Sequence, residues 1–83
     1  MTKEKKVVPM EPLFSKALKL FIDEGTVSTT LLQRVFEIGY PRAARMVDYM
    51  EEFGYISAPG EDLKRKVLIT LEEYNTLFGD DND

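Results

Sequence analysis

The chain contains no cysteine and no histidine. Without cysteine there is no disulfide framework, no thiolate zinc site and no cysteine nucleophile, a usage that fits the reducing cytoplasm. Without histidine the chain lacks the commonest metal ligand and the commonest general base. No apolar run approaches the length of a membrane span, and Lys3-Glu4-Lys5-Lys6 is not followed by the apolar core of a signal peptide. A Gly-x-x-x-x-Gly-Lys-Ser/Thr phosphate loop is also missing, so these residues offer no site for ATP hydrolysis. The acid–base groups that remain are carboxylates, lysines and tyrosines, and no carboxylate pair sits in a glycine-rich or apolar setting that would move its pKa. Neither enzymatic activity nor a metal or cofactor is expected.

What is present suits one small domain. The 83 residues are 43% hydrophobic and include four tyrosines and five phenylalanines, enough for a modest packed core. The net charge of −4 runs against the basic surplus usual in DNA-binding domains. The acidity is concentrated, however. Residues 70–83 hold five acids and no base, which leaves eleven bases against ten acids in residues 1–69.

Residues 1–10 are Lys-rich and aperiodic and read as a flexible leader. Pro12 stands where a first helical turn accepts proline, Phe14, Ala17, Leu18, Phe21 and Ile22 follow at helical spacing, and Gly25 supplies a stop. Ser28 is a good N-cap for a second helix with Leu31, Leu32, Val35 and Phe36 as its apolar stripe, and that helix is expected to break at Gly39. Tyr40-Pro41 opens a third helix with Ala43, Ala44, Val47 and Met50 on its inner face, closed by Gly54. Two helices joined through glycine, the second carrying small alanines where they cross, match a helix-turn-helix, although the pattern alone leaves an ordinary helical hairpin open. Beyond Gly54, Tyr55-Ile56-Ser57 and Lys66-Val67-Leu68-Ile69 are β-prone and flank Pro59-Gly60, which predicts a hairpin with residues 58–65 as a wing. Thr70-x-x-Glu73 is a capping box for a last helix over residues 70–79, with Leu71, Tyr74, Leu77 and Phe78 on one face and an acidic tail at 80–83. The expected fold is therefore mainly α with a small β-hairpin: a winged helix-turn-helix of three helices and a wing, plus an extra C-terminal helix.

The outward face of the third helix carries Pro41, Arg45, Asp48 and Glu52, flanked by Arg42 and Tyr49. Arginine can grip phosphate or bond guanine O6 and N7 as a bidentate fork, and Asp48 can accept from cytosine N4 or hold Arg45. The same two residues could form only a solvated i, i+3 pair. Lys64-Arg65-Lys66 would meet phosphates from a wing, or would be a charged strand edge that discourages aggregation.

In order along the chain, Glu11-Pro12-Leu13-Phe14, Ser28-Thr29-Thr30-Leu31-Leu32-Gln33-Arg34-x-Phe36, Ile38-Gly39-Tyr40-x-Arg42-Ala43-Ala44-Arg45, Met50-Glu51-Glu52-x-Gly54 and Arg65-Lys66-Val67-Leu68 form a pattern. Through it, residues 11–69 resemble the γ domain at the C-terminus of the FtsK/SpoIIIE family of bacterial DNA translocases. The resemblance implies a winged helix that reads short polar sequences in double-stranded DNA and so orients the translocase on the chromosome. In FtsK proteins the domain also contacts the XerD tyrosine recombinase, and several copies can occupy one DNA site. It further implies base contacts at the positions of Pro41, Arg45 and Asp48, and backbone contacts at Arg34, Arg42, Lys64 and Arg65. Two positions depart from the pattern. Pro41 stands where asparagine is common and has no side-chain donor or acceptor, and Glu37 replaces a basic residue near phosphate. Those departures and the acidic balance keep a second reading in view, a winged helix that docks a recombinase or another protein, or a regulator on a mobile element. The missing motor leaves two expectations, an excised domain of a larger translocase or a free-standing cytoplasmic protein. Met1-Thr2-Lys3 as a natural-looking start and Gly79-Asp80-Asp81-Asn82-Asp83 as a natural-looking end lean to the second.

Overall fold

Pro12 begins the turn that leads into α1 (Phe14–Glu24), which buries Phe14, Ala17, Leu18 and Phe21. In this computed structural model residues 11–78 are described; the leader expected over 1–10, Gly79 as a helix stop and the tail over 80–83 lie outside the described residues. Gly25 ends α1 in the left-handed conformation (φ 72°), with its N–H donating to Phe21 O at 2.8 Å. A β-carbon is unfavourable at that angle, and glycine avoids the cost.

Ser28 is extended and its Oγ accepts from Leu31 N at 3.1 Å, which caps α2 (Thr29–Phe36). The end of α2 differs from the sequence expectation. The helix stops after Phe36, and Glu37, not Gly39, takes the left-handed position (φ 55°, ψ 50°). Ile38 N–H then reaches back to Gln33 O at 3.3 Å, the double-bonded helix end that folds the following apolar residue inward. Ile38 is packed against the core as a result. The demand for Ile38 in the core fixes where the chain turns, and a glutamate is obliged to adopt the angle. Glu37→Gly is expected to raise stability by about 0.5–1 kcal/mol, the left-handed penalty of a residue with a β-carbon less the extra unfolded-state entropy of glycine. A higher urea midpoint at unchanged slope would show it, and an unchanged or lower midpoint would contradict it.

Gly39 is extended (φ −79°, ψ 166°) and leads into α3 (Tyr40–Glu52), with Pro41 in the first turn where its missing N–H costs nothing. Ala43, Met46, Val47 and Met50 are buried, and Ala43 has no exposed surface, so α3 crosses close over α2. Ala44, assigned to the same inner stripe from sequence, is half-buried and borders the surface.

The β-hairpin predicted after Gly54 does not form as such. Among the described residues there is no strand, only a single antiparallel bridge between Ile56 and Val67. Ser57 N–H donates to Lys66 O and Leu68 N–H to Tyr55 O, both at 2.9 Å, on either side of that bridge. The next rung fails for a visible reason. Lys66 N–H is taken at 2.8 Å by the Ser57 hydroxyl instead of its carbonyl, and the carbonyl accepts from Arg65 Nη1 at 3.3 Å. The ladder's own groups are diverted to side chains, and the segment remains a bridged loop.

Thr70 and Glu73 form the reciprocal capping box of α4 (Leu71–Phe78), with Glu73 N–H on Thr70 Oγ1 at 3.0 Å and Thr70 N–H on Glu73 Oε1 at 2.9 Å. The expected apolar face divides in two. Tyr74 and Phe78 pack inward, Tyr74 donating to Ser15 O at 3.0 Å, while Leu71 and Leu77 remain 45% and 39% exposed. Phe78 meets Phe14 and Tyr55 with ring centroids 6.4 and 6.0 Å apart, and Phe14 meets Phe53 edge-on at 5.9 Å. No helix among the described residues is long and apolar enough to cross a membrane.

Candidate nucleic-acid interface

With Ala43, Met46, Val47 and Met50 turned inward, the 3.6-residue period forces the opposite face of α3 to water. Pro41, Arg45, Asp48 and Glu52 are all exposed along it. Among the described residues neither Arg45 nor Asp48 makes an ion pair, so the i, i+3 pair considered from sequence does not close. A guanidinium and a carboxylate that no described residue pairs with, one turn apart on an exposed helix face, can meet an external ligand.

Arg42 is placed differently. Its Nε donates to Glu11 Oε1 and its Nη2 to Glu11 Oε2, both at 2.8 Å, in a bidentate fork. The Arg42 side chain is 43% exposed and that of Glu11 only 14%. Glu11 Oε2 also accepts from Leu13 N at 2.9 Å, which ties the entry to α1 onto the first turn of α3. The Arg42 hydrogen bonds hold the Glu11 carboxyl below its ordinary value of 4.5; partial burial opposes this, and the Leu13 N–H and the charges of Arg42 and Arg45 assist. The same carboxylate raises Arg42 still further above its ordinary range. Because the folded carboxyl titrates below the unfolded one, its contribution to stability is complete above the ordinary glutamate range and is lost as pH falls through the folded value. Glu11→Gln is therefore expected to flatten the acid limb of the stability profile, read as urea midpoints between about pH 3 and 6. A wild-type midpoint that did not fall more steeply than the variant's in that window would contradict the assignment.

Arg65 is likewise engaged. Its Nη1 lies 2.6 Å from Glu51 Oε1 and 3.3 Å from Ser57 O, and its side chain is 20% exposed. This contact links the loop 58–65 to the last turns of α3. Lys64 and Lys66 are exposed and border a depression shared with Gly25 and Thr26. Arg34 is exposed in the last turn of α2, where a cation also suits the negative end of the helix dipole.

The structure thus brings Asp48 and Arg65 to one groove between α3 and the loop, together with Tyr40, Ala44, Pro59 and Leu63, whereas Arg34, Arg45 and Lys64 do not line it. Glu11, Tyr40 and Leu63 carry no site role that was expected from the sequence. An apolar residue between Asp62 and Lys64 in an otherwise polar loop was a usable signal for Leu63; the partner of Arg42, 31 residues away, had none. Among the described residues no group of three or more His, Cys, Asp or Glu could hold a metal ion.

Three helices, the third lying exposed beside a bridged loop, are compatible with a winged helix. Residues 9–70 match the family model for the FtsK gamma domain, and the chain belongs to that family. Relatives include the DNA translocase SpoIIIE of Bacillus subtilis, 40% identical over 67 residues that make up 81% of this chain and 8% of that protein. The DNA translocase FtsK of Haemophilus influenzae is 42% identical over 65 residues, 78% of this chain and 12% of that protein. The DNA translocase SftA of Bacillus subtilis is 43% identical over 63 residues, 76% and 7% of the two chains. The chain spans about a tenth of the length of these curated relatives, and the match falls on their small gamma domain. α4 lies beyond the matched residues.

Proposed function

We propose that this domain binds double-stranded DNA in a sequence-directed manner in the cytoplasm, with α3 in the major groove and the loop 58–65 against the backbone. The observation that carries the reading is the exposed row Pro41, Arg45 and Asp48 on α3, in a family whose named relatives are DNA translocases. Arg45 is the guanine reader and Asp48 the acceptor for cytosine N4; Pro41 offers only an apolar contact. Arg34 and Lys64 contact phosphates, and Lys66 adds to them. Arg42 and Arg65 serve chiefly as braces. Each is half of an internal ion pair, which removes most of the net charge that would release counterions from DNA.

Selection from a random duplex pool, followed by titration of the enriched site against salt, tests the reading. An enriched motif is expected, with log K falling against log salt at a slope of about −3, the value for three to four neutralised phosphates. Failure to enrich any sequence and to bind any duplex at low salt would overturn it.

A second reading, docking of a protein such as a tyrosine recombinase, is favoured by one other feature. Leu68, Leu71 and Leu77 are exposed, and Leu68 and Leu77 line an apolar groove of about 430 Å³ with Phe53 and Tyr55, away from the charged face of α3. A stable protein complex lost on Leu77→Lys, with no duplex bound, would favour that reading over the first.

A further inference from the structure

The groove between α3 and the loop 58–65 holds about 290 Å³ and is bordered by Tyr40, Ala44, Pro59 and Leu63, with Asp48 on its rim. Thr29 and Arg65 also line it, so it is a mixed surface in which Tyr40, Ala44, Pro59 and Leu63 form the apolar part. Tyr40 is 59% exposed and Leu63 83% exposed, so neither contributes to the core. Leu63 also sits at φ 65°, an angle that leucine adopts only against a steric penalty. The loop enforces it. Leu63 N–H donates to Gly60 O at 2.9 Å, Gly60 N–H to Lys64 O at 2.9 Å, and Lys64 N–H to Asp62 Oδ1 at 3.0 Å. An apolar side chain is thus held largely in solvent on a strained backbone, a cost that nothing in the core repays.

We propose that this groove is a reader of the thymine 5-methyl group, with Leu63, Tyr40 and Ala44 enclosing the methyl of one base pair in the major groove. The inference rests on the reading above, that DNA lies against α3. The thymine methyl is the one apolar group on a base edge in the major groove, and small or apolar side chains are its usual contacts. The cations Lys64 on the same loop and Lys66 just beyond it complement the phosphates that flank such a base. Asp48 on the rim accepts from cytosine N4 and is repelled by thymine O4, so methyl and carboxylate read adjacent base pairs.

The test takes the duplex selected by the full chain and replaces each thymine in turn with deoxyuridine, which removes only the methyl. Affinity is expected to fall about three- to fivefold at one position, the worth of one methyl group taken out of water, and by less than half that at the others. In Leu63→Gly the penalty at that position is expected to vanish, while thermal stability stays equal or rises, because glycine accepts the positive φ without strain. Loss of methyl discrimination in a chain that folds at least as well cannot be assigned to unfolding. Tyr40→Ser should reduce the same penalty without changing the salt slope. A duplex bound with normal salt dependence but no deoxyuridine penalty anywhere would overturn the inference and leave the DNA-binding reading standing. A penalty that persists unchanged in Leu63→Gly would place the methyl contact elsewhere and overturn it too. If the groove instead seats an apolar side chain of a partner protein, Leu63→Gly leaves every duplex affinity unchanged. Binding of no duplex at all removes both readings together.

Discussion

Arg45→Ala is expected to lower affinity for the selected duplex by about ten- to a hundredfold while changing affinity for unrelated DNA much less. A bidentate arginine–guanine pair discriminates by about 1–3 kcal/mol against the wrong base, and that preference disappears with the side chain. The environment of Arg45 makes the experiment clean. It is exposed, its own helix buries the opposite face, and no described residue pairs with it, so its removal leaves no stranded partner in the fold. Lys64→Ala supplies the contrast. A phosphate contact carries no sequence information, so its loss should weaken all duplexes alike and reduce the salt slope by about 1. Competition titrations with matched and scrambled duplexes read both. Equal losses on the two duplexes for Arg45→Ala would remove it as a base reader and reduce it to a backbone contact.

The second large effect is on stability. Phe14 has no exposed surface and stands at the meeting point of three segments, against Phe53 at 5.9 Å, Tyr55 at 6.5 Å and Phe78 at 6.4 Å. Phe14→Ala would leave a cavity between α1, the end of α3 and α4 at a cost of about 3–5 kcal/mol. Total stabilities of small domains are about 5–15 kcal/mol, so the substitution removes a large share of the stability while leaving most of the population folded in water. Chemical denaturation, with DNA binding followed in parallel, checks this. A loss below about 1 kcal/mol would show that the aromatic cluster relaxes around the gap and is not a tightly packed core. Phe78→Ala should cost less, because Phe78 is only partly buried.

What the residues disclosed in advance and what they concealed follow a physical division. Features settled within one turn of chain were legible: the Ser28 cap, Pro41 in the first turn of α3, the Thr70–Glu73 box and Gly25 at the end of α1. The outward row of Pro41, Arg45 and Asp48 was legible for the same reason, since it follows from helical period alone. The hairpin was not, because β-propensity in Tyr55-Ile56-Ser57 and Lys66-Val67-Leu68-Ile69 says nothing of a serine hydroxyl intercepting a ladder donor. The choice of Glu37 over Gly39 for the reversing angle was set by where Ile38 had to go, a tertiary demand that outweighs the residue's own preference. The availability of the arginines was concealed most completely. Arg42 and Arg65 look like Arg45 as letters, yet their partners Glu11 and Glu51 lie 31 and 14 residues away.

The Arg65 contact with Glu51 and the Ser57 carbonyl has a consequence for how fast a ligand is captured. A cross-tie between the loop and the last turns of α3 restrains the loop before any encounter. The entropy of ordering the loop is then lost when the chain folds and not when it meets its target. Association is left to collision frequency and the attraction of opposite charges, with no slow rearrangement to follow, while cutting the tie would leave the resting shape much as it is and lengthen the search.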